Sequence, residues 1–173
     1  MKYTMSFLWL ALLVLAGCAK EEAIDFEKER AAIISVITAE TDAYLRRDFE
    51  AVYDAHVHDS MNMRLTAGAD NYVFLEGWDE VKRHLGSDDT EDDLSPELHI
   101  SVKKDNWRMK ICEKSAFVVC DQTWTSAYGT DTAVITSIQV RFMEKIEGEW
   151  KISFVSFIGT SGYAEQEEVE ILD

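Results

Sequence analysis

The sequence predicts an α+β domain in which N-terminal helices pack against one face of a curved antiparallel sheet. Two observations carry this prediction. Apolar residues recur at helical spacing soon after residue 24, whereas the chain beyond Pro96 consists of long runs rich in β-forming residues. Pro96 is the only proline of the sequence, and no internal repeat is present. We therefore expect one domain over residues 25–160.

The N-terminus has the order of charge, apolar run and small residues that is typical of an export signal. Lys2 precedes an apolar stretch at residues 7–15, and an Ala-Gly pair stands directly before Cys18. This stretch is shorter than the roughly 20 residues that a transmembrane helix needs. The tetrad at residues 15–18 resembles the bacterial lipobox, which implies removal of residues 1–17 and acylation of Cys18. We expect a lipid anchor at the bacterial cell envelope, at the outer membrane.

A short linker is predicted between this anchor and the domain, over residues 18–24. Its Ala-Lys-Glu-Glu segment at residues 19–22 resembles the surface-export tag of Bacteroidota lipoproteins. A plain solvated linker explains the same residues equally well. The sequence leaves open whether the domain faces the periplasm or the cell surface.

The chain is strongly acidic, with a formal net charge of −16. Loss of residues 1–17 would remove Lys2 and make this charge −17. No cluster of lysine or arginine offsets it, so the composition argues against nucleic-acid binding. Residues 161–173 continue the acidic character and are predicted to form a tail.

Three helices are predicted. The first covers residues 25–47, with acids at its start and arginines at its end, as the helix dipole favours. A short second helix follows at residues 49–55. Gly77 breaks an extended run and opens a third helix at residues 78–85, with acids in its first turn.

Strands account for most of the remaining residues. Short extended segments are predicted at residues 61–65 and 72–75, and an acidic polar loop at residues 87–93. Four long strands are predicted at residues 97–112, 116–128, 132–146 and 150–159, the last two joined by a Glu-Gly-Glu hairpin turn. Cys112 and Cys120 flank another turn without facing each other, so we expect two free, mostly buried thiols.

The chain resembles the nuclear-transport-factor-2-like (NTF2-like, cystatin-like) superfamily, in its SnoaL-like branch. The resemblance is carried by Asp48-Phe49 after the first helix, by residues 77–80 at the third helix and by residues 144–152 in the final hairpin. It covers residues 26–159 and implies a cone whose mouth admits a small apolar ligand. Carried over to this chain, the lining would include Glu40, Tyr44, His58, Arg64, Tyr72, Trp78, Trp107, Trp124 and Phe142. Core packing is the alternative role for Trp107 and Trp124.

The same resemblance argues against steroid-isomerase chemistry. The tyrosine, the base aspartate and the protonated aspartic acid of those enzymes fall at or near Glu40, Arg64 and Phe142. None of these residues matches, and a guanidinium stays protonated and cannot act as a general base. A different catalytic arrangement is open, in which His58 acts as acid or base, Asp54 or Asp59 orients it, and Arg64 binds an anionic group.

No metal or cofactor is expected. His56 and His58 have no further ligands at a recognisable spacing, and the acidic loop lacks the pattern of an EF-hand. We expect an envelope lipoprotein that binds a small molecule or a partner without catalysis. One alternative is an isomerase or lyase using His58, Glu40 or Arg64. The other is a structural homodimer, since related cones associate through their sheets.

Overall fold

The computed structural model describes residues 24–87 and 98–160. Within these ranges the chain forms three helices, which are α1 (Phe26–Leu45), α2 (Phe49–Asp54) and α3 (Trp78–Ser87). The strands of the same ranges are β1 (Met63–Ala67), β2 (Tyr72–Glu76), β3 (Leu98–Ile111), β4 (Ser115–Tyr128), β5 (Asp131–Ile146) and β6 (Glu149–Gly159). The predicted order of elements is confirmed, with ends within about two residues. The expectations for the export signal, Cys18, most of the polar loop and the acidic tail lie outside the described residues.

Side-chain caps and one left-handed residue set the ends of the first two helices. The Asp25 carboxylate accepts a hydrogen bond from the Lys28 backbone N–H at 3.1 Å, which satisfies a free donor of the first turn of α1. After α1 ends, Arg47 takes a φ of 58° and turns the chain. Asp48 then caps α2 by accepting from the Ala51 N–H at 3.2 Å.

Gly77 forms the junction between β2 and α3. Its φ is 85°, a conformation that strains any residue with a Cβ atom. Its N–H donates to the Asn62 carbonyl at 2.8 Å, which holds the turn against the segment before β1. From this start, α3 buries Val81 and Leu85 against α1 and α2.

The strands form one curved sheet in the order β2-β1-β6-β5-β4-β3. The sheet is mixed, because β1 pairs in parallel with β6 while every other pair is antiparallel. The last strand of the domain therefore lies in the middle of the sheet, between β1 and β5. Register shifts between Asp105 and Arg108, and between Phe142 and Met143, are of the bulged kind that bends strands.

The apolar core fills one end of the space between the sheet and α1. Ile33 and Ile37 of α1 are fully buried there against β4, β5 and β6. The other buried members of this cluster are Ala116, Val118, Met143, Trp150, Ile152 and Val155. We call the space between the curved sheet and α1 the cone. Its opposite end is not filled by apolar side chains, and the candidate site lies there.

Both described cysteines are free, as expected. Cys120 is buried, but Cys112 is exposed, so the expectation of two buried thiols was wrong for Cys112. The cause is the register of the hairpin. Ile111 pairs with Ala116, which leaves Cys112 in the turn, where its N–H donates to the Ser115 carbonyl at 2.8 Å.

Candidate functional site

A buried ion pair joins α1 to the sheet directly above the apolar core. Glu40 lies one turn beyond Ile37 on the inner side of α1, and Arg141 lies one inward position beyond Met143 on β5. Arg141 Nη2 donates to Glu40 Oε2 at 3.1 Å, and both side chains are almost completely buried. The pair therefore marks the level at which the interior of the cone changes from apolar to polar.

Hydrogen bonds extend this pair across the neighbouring strand. Arg141 Nε donates to Gln139 Oε1 at 3.3 Å, and Gln139 Nε2 donates to Gln122 Oε1 of β4 at 2.6 Å. The Thr41 hydroxyl lies 3.2 Å from Glu40 Oε2 and accepts from Lys104 Nζ at 2.6 Å. We call Glu40, Thr41, Gln122, Gln139 and Arg141 the polar belt.

The charges of the belt follow from its surroundings. Burial alone would raise the pKa of Glu40, but the charge of Arg141, helped by His56 and Arg64, holds that pKa well below its ordinary value of 4.5. Burial lowers the pKa of His56 below 6.5, although its Nε2 lies 3.7 Å from Glu40 Oε1. Burial and the charge of Arg141 lower the pKa of Lys104 to about 8. At neutral pH, Glu40 is thus a carboxylate beside a neutral His56.

A cavity of about 420 Å³ opens above the polar belt. Five apolar or aromatic side chains, which we call the apolar wall, line it together with the belt: Tyr44, Leu85, Trp124, Ile135 and Phe157. Tyr44 and Trp124 meet edge to face, with ring centroids 6.3 Å apart. Arg64 of β1 also lines the cavity, and its guanidinium carbon lies 4.6 Å from the centroid of the Phe157 ring. The cavity therefore has a polar base and largely apolar sides.

Four of the residues expected from the sequence meet in this cavity, namely Glu40, Tyr44, Arg64 and Trp124. They come from α1, β1 and β4, which the fold brings together only in three dimensions. Glu40 and Arg64 both contribute charge, although Glu40 is already paired with Arg141. The structure places these four residues where a ligand in the cone could contact them.

His58 and Trp78 lie outside the lining of the cavity. His58 is exposed, its Nε2 lies 2.8 Å from the Tyr53 carbonyl oxygen, and its ring stacks on Trp78 at a centroid distance of 4.1 Å. Neither Asp54 nor Asp59 has a described hydrogen bond to it. Trp78 packs instead against the cluster formed by the three helices. His58, the centre of the catalytic arrangement considered above, therefore does not line the cavity.

Tyr72, Trp107 and Phe142 also lie elsewhere than expected. The Tyr72 side chain is 73% exposed on β2, near the edge of the sheet. Trp107 packs against the apolar core, which is the alternative role considered for it. Phe142 is next to Arg141 on β5, so the alternation of a strand turns it to the convex face, where it is 38% exposed. The family resemblance implied that these three residues line the cavity, but in the structure they do not line it.

Four belt residues were not anticipated from the sequence: Thr41, Gln122, Gln139 and Arg141. On β5, polar Ser137, Gln139 and Arg141 alternate with apolar neighbours. Such alternation normally predicts that the apolar side faces the core. Here the polar side faces inward. The signal that could have shown this is Met143, because it lies on the same side of β5 as Ser137, Gln139 and Arg141 and belongs to the apolar core.

Other kinds of site find no support in the described ranges. Across residues 24–87 and 98–160, no group of three or more His, Cys, Asp or Glu side chains is arranged to hold a metal ion. No described helix is both long enough and apolar enough to cross a membrane.

Comparison with known proteins identifies the fold. No protein-family model and no curated protein matches the chain. Among solved structures, an NTF2-like protein of unknown function from Shewanella oneidensis is 21% identical with a TM-score of 0.55, covering 75% of this chain and 98% of its own. A ketosteroid isomerase-like protein from Erwinia carotovora atroseptica is 16% identical, with a TM-score of 0.53, over 76% of this chain and 95% of its own.

A third similar structure is the β subunit of benzoate 1,2-dioxygenase from Burkholderia mallei. It is 12% identical with a TM-score of 0.65, covering 88% of this chain and 97% of its own. Identities this low define a fold and no activity. The chain has the NTF2-like, cystatin-like fold, as the sequence resemblance implied.

We predict that the buried pair makes the protein acid-labile. The pKa of Glu40 is lower in the folded chain than in the unfolded chain, so its stabilising effect is complete above about pH 4.5 and is lost as the pH falls below that value. The lowered pKa of His56 adds a loss that begins below about pH 6.5. Urea denaturation followed by tryptophan fluorescence from pH 7 to pH 3 should therefore show a steadily falling free energy of unfolding.

Glu40→Gln tests the assignment. This change leaves Arg141 buried without its counter-ion and should cost about 3–5 kcal/mol at pH 7. The remaining loss below pH 4.5 should become shallower than in the unchanged chain. Glu27→Gln, at an exposed position of the same helix, should change the free energy of unfolding by less than about 0.5 kcal/mol. Equal effects of the two substitutions would contradict the role given to the pair.

Proposed function

We propose that this protein is a lipid-anchored binding protein of the bacterial cell envelope, whose cone holds a small organic molecule. The observation that supports this proposal best is the cavity above the polar belt. Its volume of about 420 Å³ lies in the usual range of ligand sites, about 300–1,000 Å³. It also combines an apolar wall with a few buried polar groups, which is the usual composition of such sites.

Binding explains the polar belt better than catalysis does. A general base works best when its pKa lies near the working pH, whereas the pKa of Glu40 is held well below 4.5 by Arg141. The Arg64 guanidinium cannot accept a proton. His56 is buried behind Glu40 and does not line the cavity. An isomerase or lyase of the SnoaL-like branch is therefore our second choice, and turnover of any bound ligand would favour it.

The membrane anchor is supported by the sequence alone. The lipobox-like tetrad at residues 15–18 follows a short apolar run. The acidic chain would be repelled by anionic headgroups, so the proposed attachment is through acyl chains on Cys18. One acyl chain binds a membrane only reversibly, and several anchor it stably.

The ligand proposal predicts a hit in a thermal-shift screen of the full chain against envelope metabolites and lipids. A ligand at a hundredfold its dissociation constant adds about 2.7 kcal/mol to the free energy of unfolding. Thr66→Trp, on the cavity lining of β1, should abolish the shift because the indole occupies ligand space. Thr125→Trp places the same side chain on the outward side of β4 and should leave the shift intact.

Two outcomes count against this proposal. One is a screen in which no compound changes the melting temperature. The other is a hit that persists unchanged in Thr66→Trp, because its binding site would then lie outside the cone.

The anchor is tested by metabolic labelling in a bacterium that processes lipoproteins. The unchanged chain should incorporate labelled palmitate and sediment with membranes. Cys18→Ala removes the acylated thiol and should abolish the label, whereas Cys112→Ala, at an exposed free cysteine, should retain it. A chain that stays unlabelled, or a label that survives Cys18→Ala, would exclude lipidation at this residue.

A structural role as a homodimer is favoured by a separate observation on the convex face of the sheet. Phe117 of β4 and Phe142 of β5 are paired in register, and Phe154 of β6 continues the same row. Phe117 and Phe142 are 47% and 38% exposed, and Ile158 on the same face is 40% exposed. Exposed apolar side chains grouped on one face are typical of a contact between proteins.

We predict that this face mediates self-association. Analytical ultracentrifugation of the full chain should show a dimer at micromolar concentration. Phe142→Glu should yield monomers because it buries a charge in the contact. Phe26→Glu makes the same change at a 57% exposed position of α1 and should leave the dimer unchanged. A monomeric unchanged chain would refute the proposed association.

A further inference from the structure

The inner surface of the cone is ordered in three layers along the chain. On α1, buried Ile33 and Ile37 are followed by Glu40 of the polar belt and then by Tyr44 of the apolar wall. On β4, the inward positions run from Val118 of the core through Gln122 of the belt to Trp124 of the wall, and β5 shows the same order. Along these three elements, the apolar wall therefore lies nearer the mouth and the polar belt lies deeper.

The belt also retains hydrogen-bond donors that the protein does not use. Arg141 directs Nη2 to Glu40 and Nε to Gln139, but its Nη1 is buried without an acceptor among the described residues. Gln122 accepts from Gln139 through Oε1, and its Nε2 likewise has no acceptor in the described part of the chain. Buried donors are normally satisfied, so two exceptions on residues of the polar belt, both of which line the cavity, need an explanation.

We propose that the ligand of the cone is an amphipathic organic carboxylate, bound with its carboxylate at Arg141 and Gln122 and its apolar body against the wall. This inference rests on the proposed small-molecule function and names the chemical class of its ligand. The two unused donors belong to a guanidinium and an amide, and one carboxylate has two acceptor oxygens to satisfy both. Arg64 supplies a second positive charge at the same cavity.

Charge supports a carboxylate over a neutral head group. Glu40 already pairs with Nη2 of Arg141, so the ligand would occupy the other side of the same guanidinium. Hydrogen bonds from a charged donor to a charged acceptor are about twice as strong as neutral ones. A cationic ligand would meet Arg64 and Arg141 with its charge, and a purely apolar ligand would leave both donors unused.

The test uses matched pairs of probes that differ only in the head group. The carboxylates are 2-naphthoate, cyclohexanecarboxylate and octanoate, and each is compared with its primary amide. Isothermal titration of the full chain should give at least one carboxylate that binds ten or more times more tightly than its amide. If the cone is the binding site, Thr66→Trp should abolish the binding of both this carboxylate and its amide.

Gln122→Glu tests the position of the head group. It keeps the oxygen that accepts from Gln139 and replaces the unused donor with a negative oxygen. The carboxylate should lose at least tenfold in affinity, whereas its amide should change less than twofold. Thr123→Glu adds the same charge to the outward side of β4 and should leave both affinities unchanged. If Gln122→Glu does not fold, Gln122→Met removes the donor without adding charge and should reduce the carboxylate preference.

A carboxyl-¹³C label on the bound probe gives an independent readout. Contact with the Arg141 guanidinium should move the titration of the bound carboxyl to lower pH than that of the free probe. Equal binding of acids and amides, with both lost in Thr66→Trp, would overturn the carboxylate inference and leave the proposed cavity function intact. Absence of binding by every carboxylate, while the screen gives a neutral ligand, would overturn it as well. Failure of the screen itself would remove both proposals.

Discussion

The ion pair between Glu40 and Arg141 is the constraint on which the rest of the interior depends. Removing two charges from water is costly, and their attraction repays this cost only when the remaining polar atoms are also bonded. Gln139 bonds Arg141 and Thr41 bonds Glu40, whereas Nη1 of Arg141 has no acceptor among the described residues. The pair therefore imposes a polar layer across the whole width of the cone, from α1 to β4.

That layer determines what lies on either side of it. Toward the core, Ile33, Ile37 and Met143 pack without polar atoms, and their burial holds α1 to the sheet. Toward the mouth, closing the space with the same apolar packing would seal the unused donors of Arg141 and Gln122 away from any acceptor. A cavity with a polar base and an apolar wall results. Low local dielectric around the pair also strengthens each of its hydrogen bonds.

Much of the fold could be predicted from the sequence because its local signals agree with one another. Asp25 at the start of α1, Gly77 at the start of α3 and the turn at residues 147–149 each fix one boundary, and the structure places all three as expected. The parallel pairing of β1 with β6 carries no local signal, since it joins segments about 90 residues apart.

The site could be predicted only in part, for a related reason. Glu40, Tyr44 and Arg64 stand at positions that the family resemblance places in the lining. Gln139 and Arg141, in contrast, belong to a strand with apolar residues on its other side. Val140 and Phe142 would normally mark the core face of such a strand. The register reverses this expectation, and Phe142 lies on the convex surface. Which side of such a strand faces inward can be decided only when its pairing with the neighbouring strands is known.

The central position of β6 has a consequence for the order in which the chain can fold. β6 follows every other described strand along the chain, yet β1 and β2 cannot join the rest of the sheet until β6 lies between β1 and β5. A chain that grows from its N-terminus therefore leaves this sheet incomplete until β6 has emerged. Until then, the edges of β1 and β5 that β6 will cover stay unpaired, and unpaired strand edges are sites at which chains associate with one another.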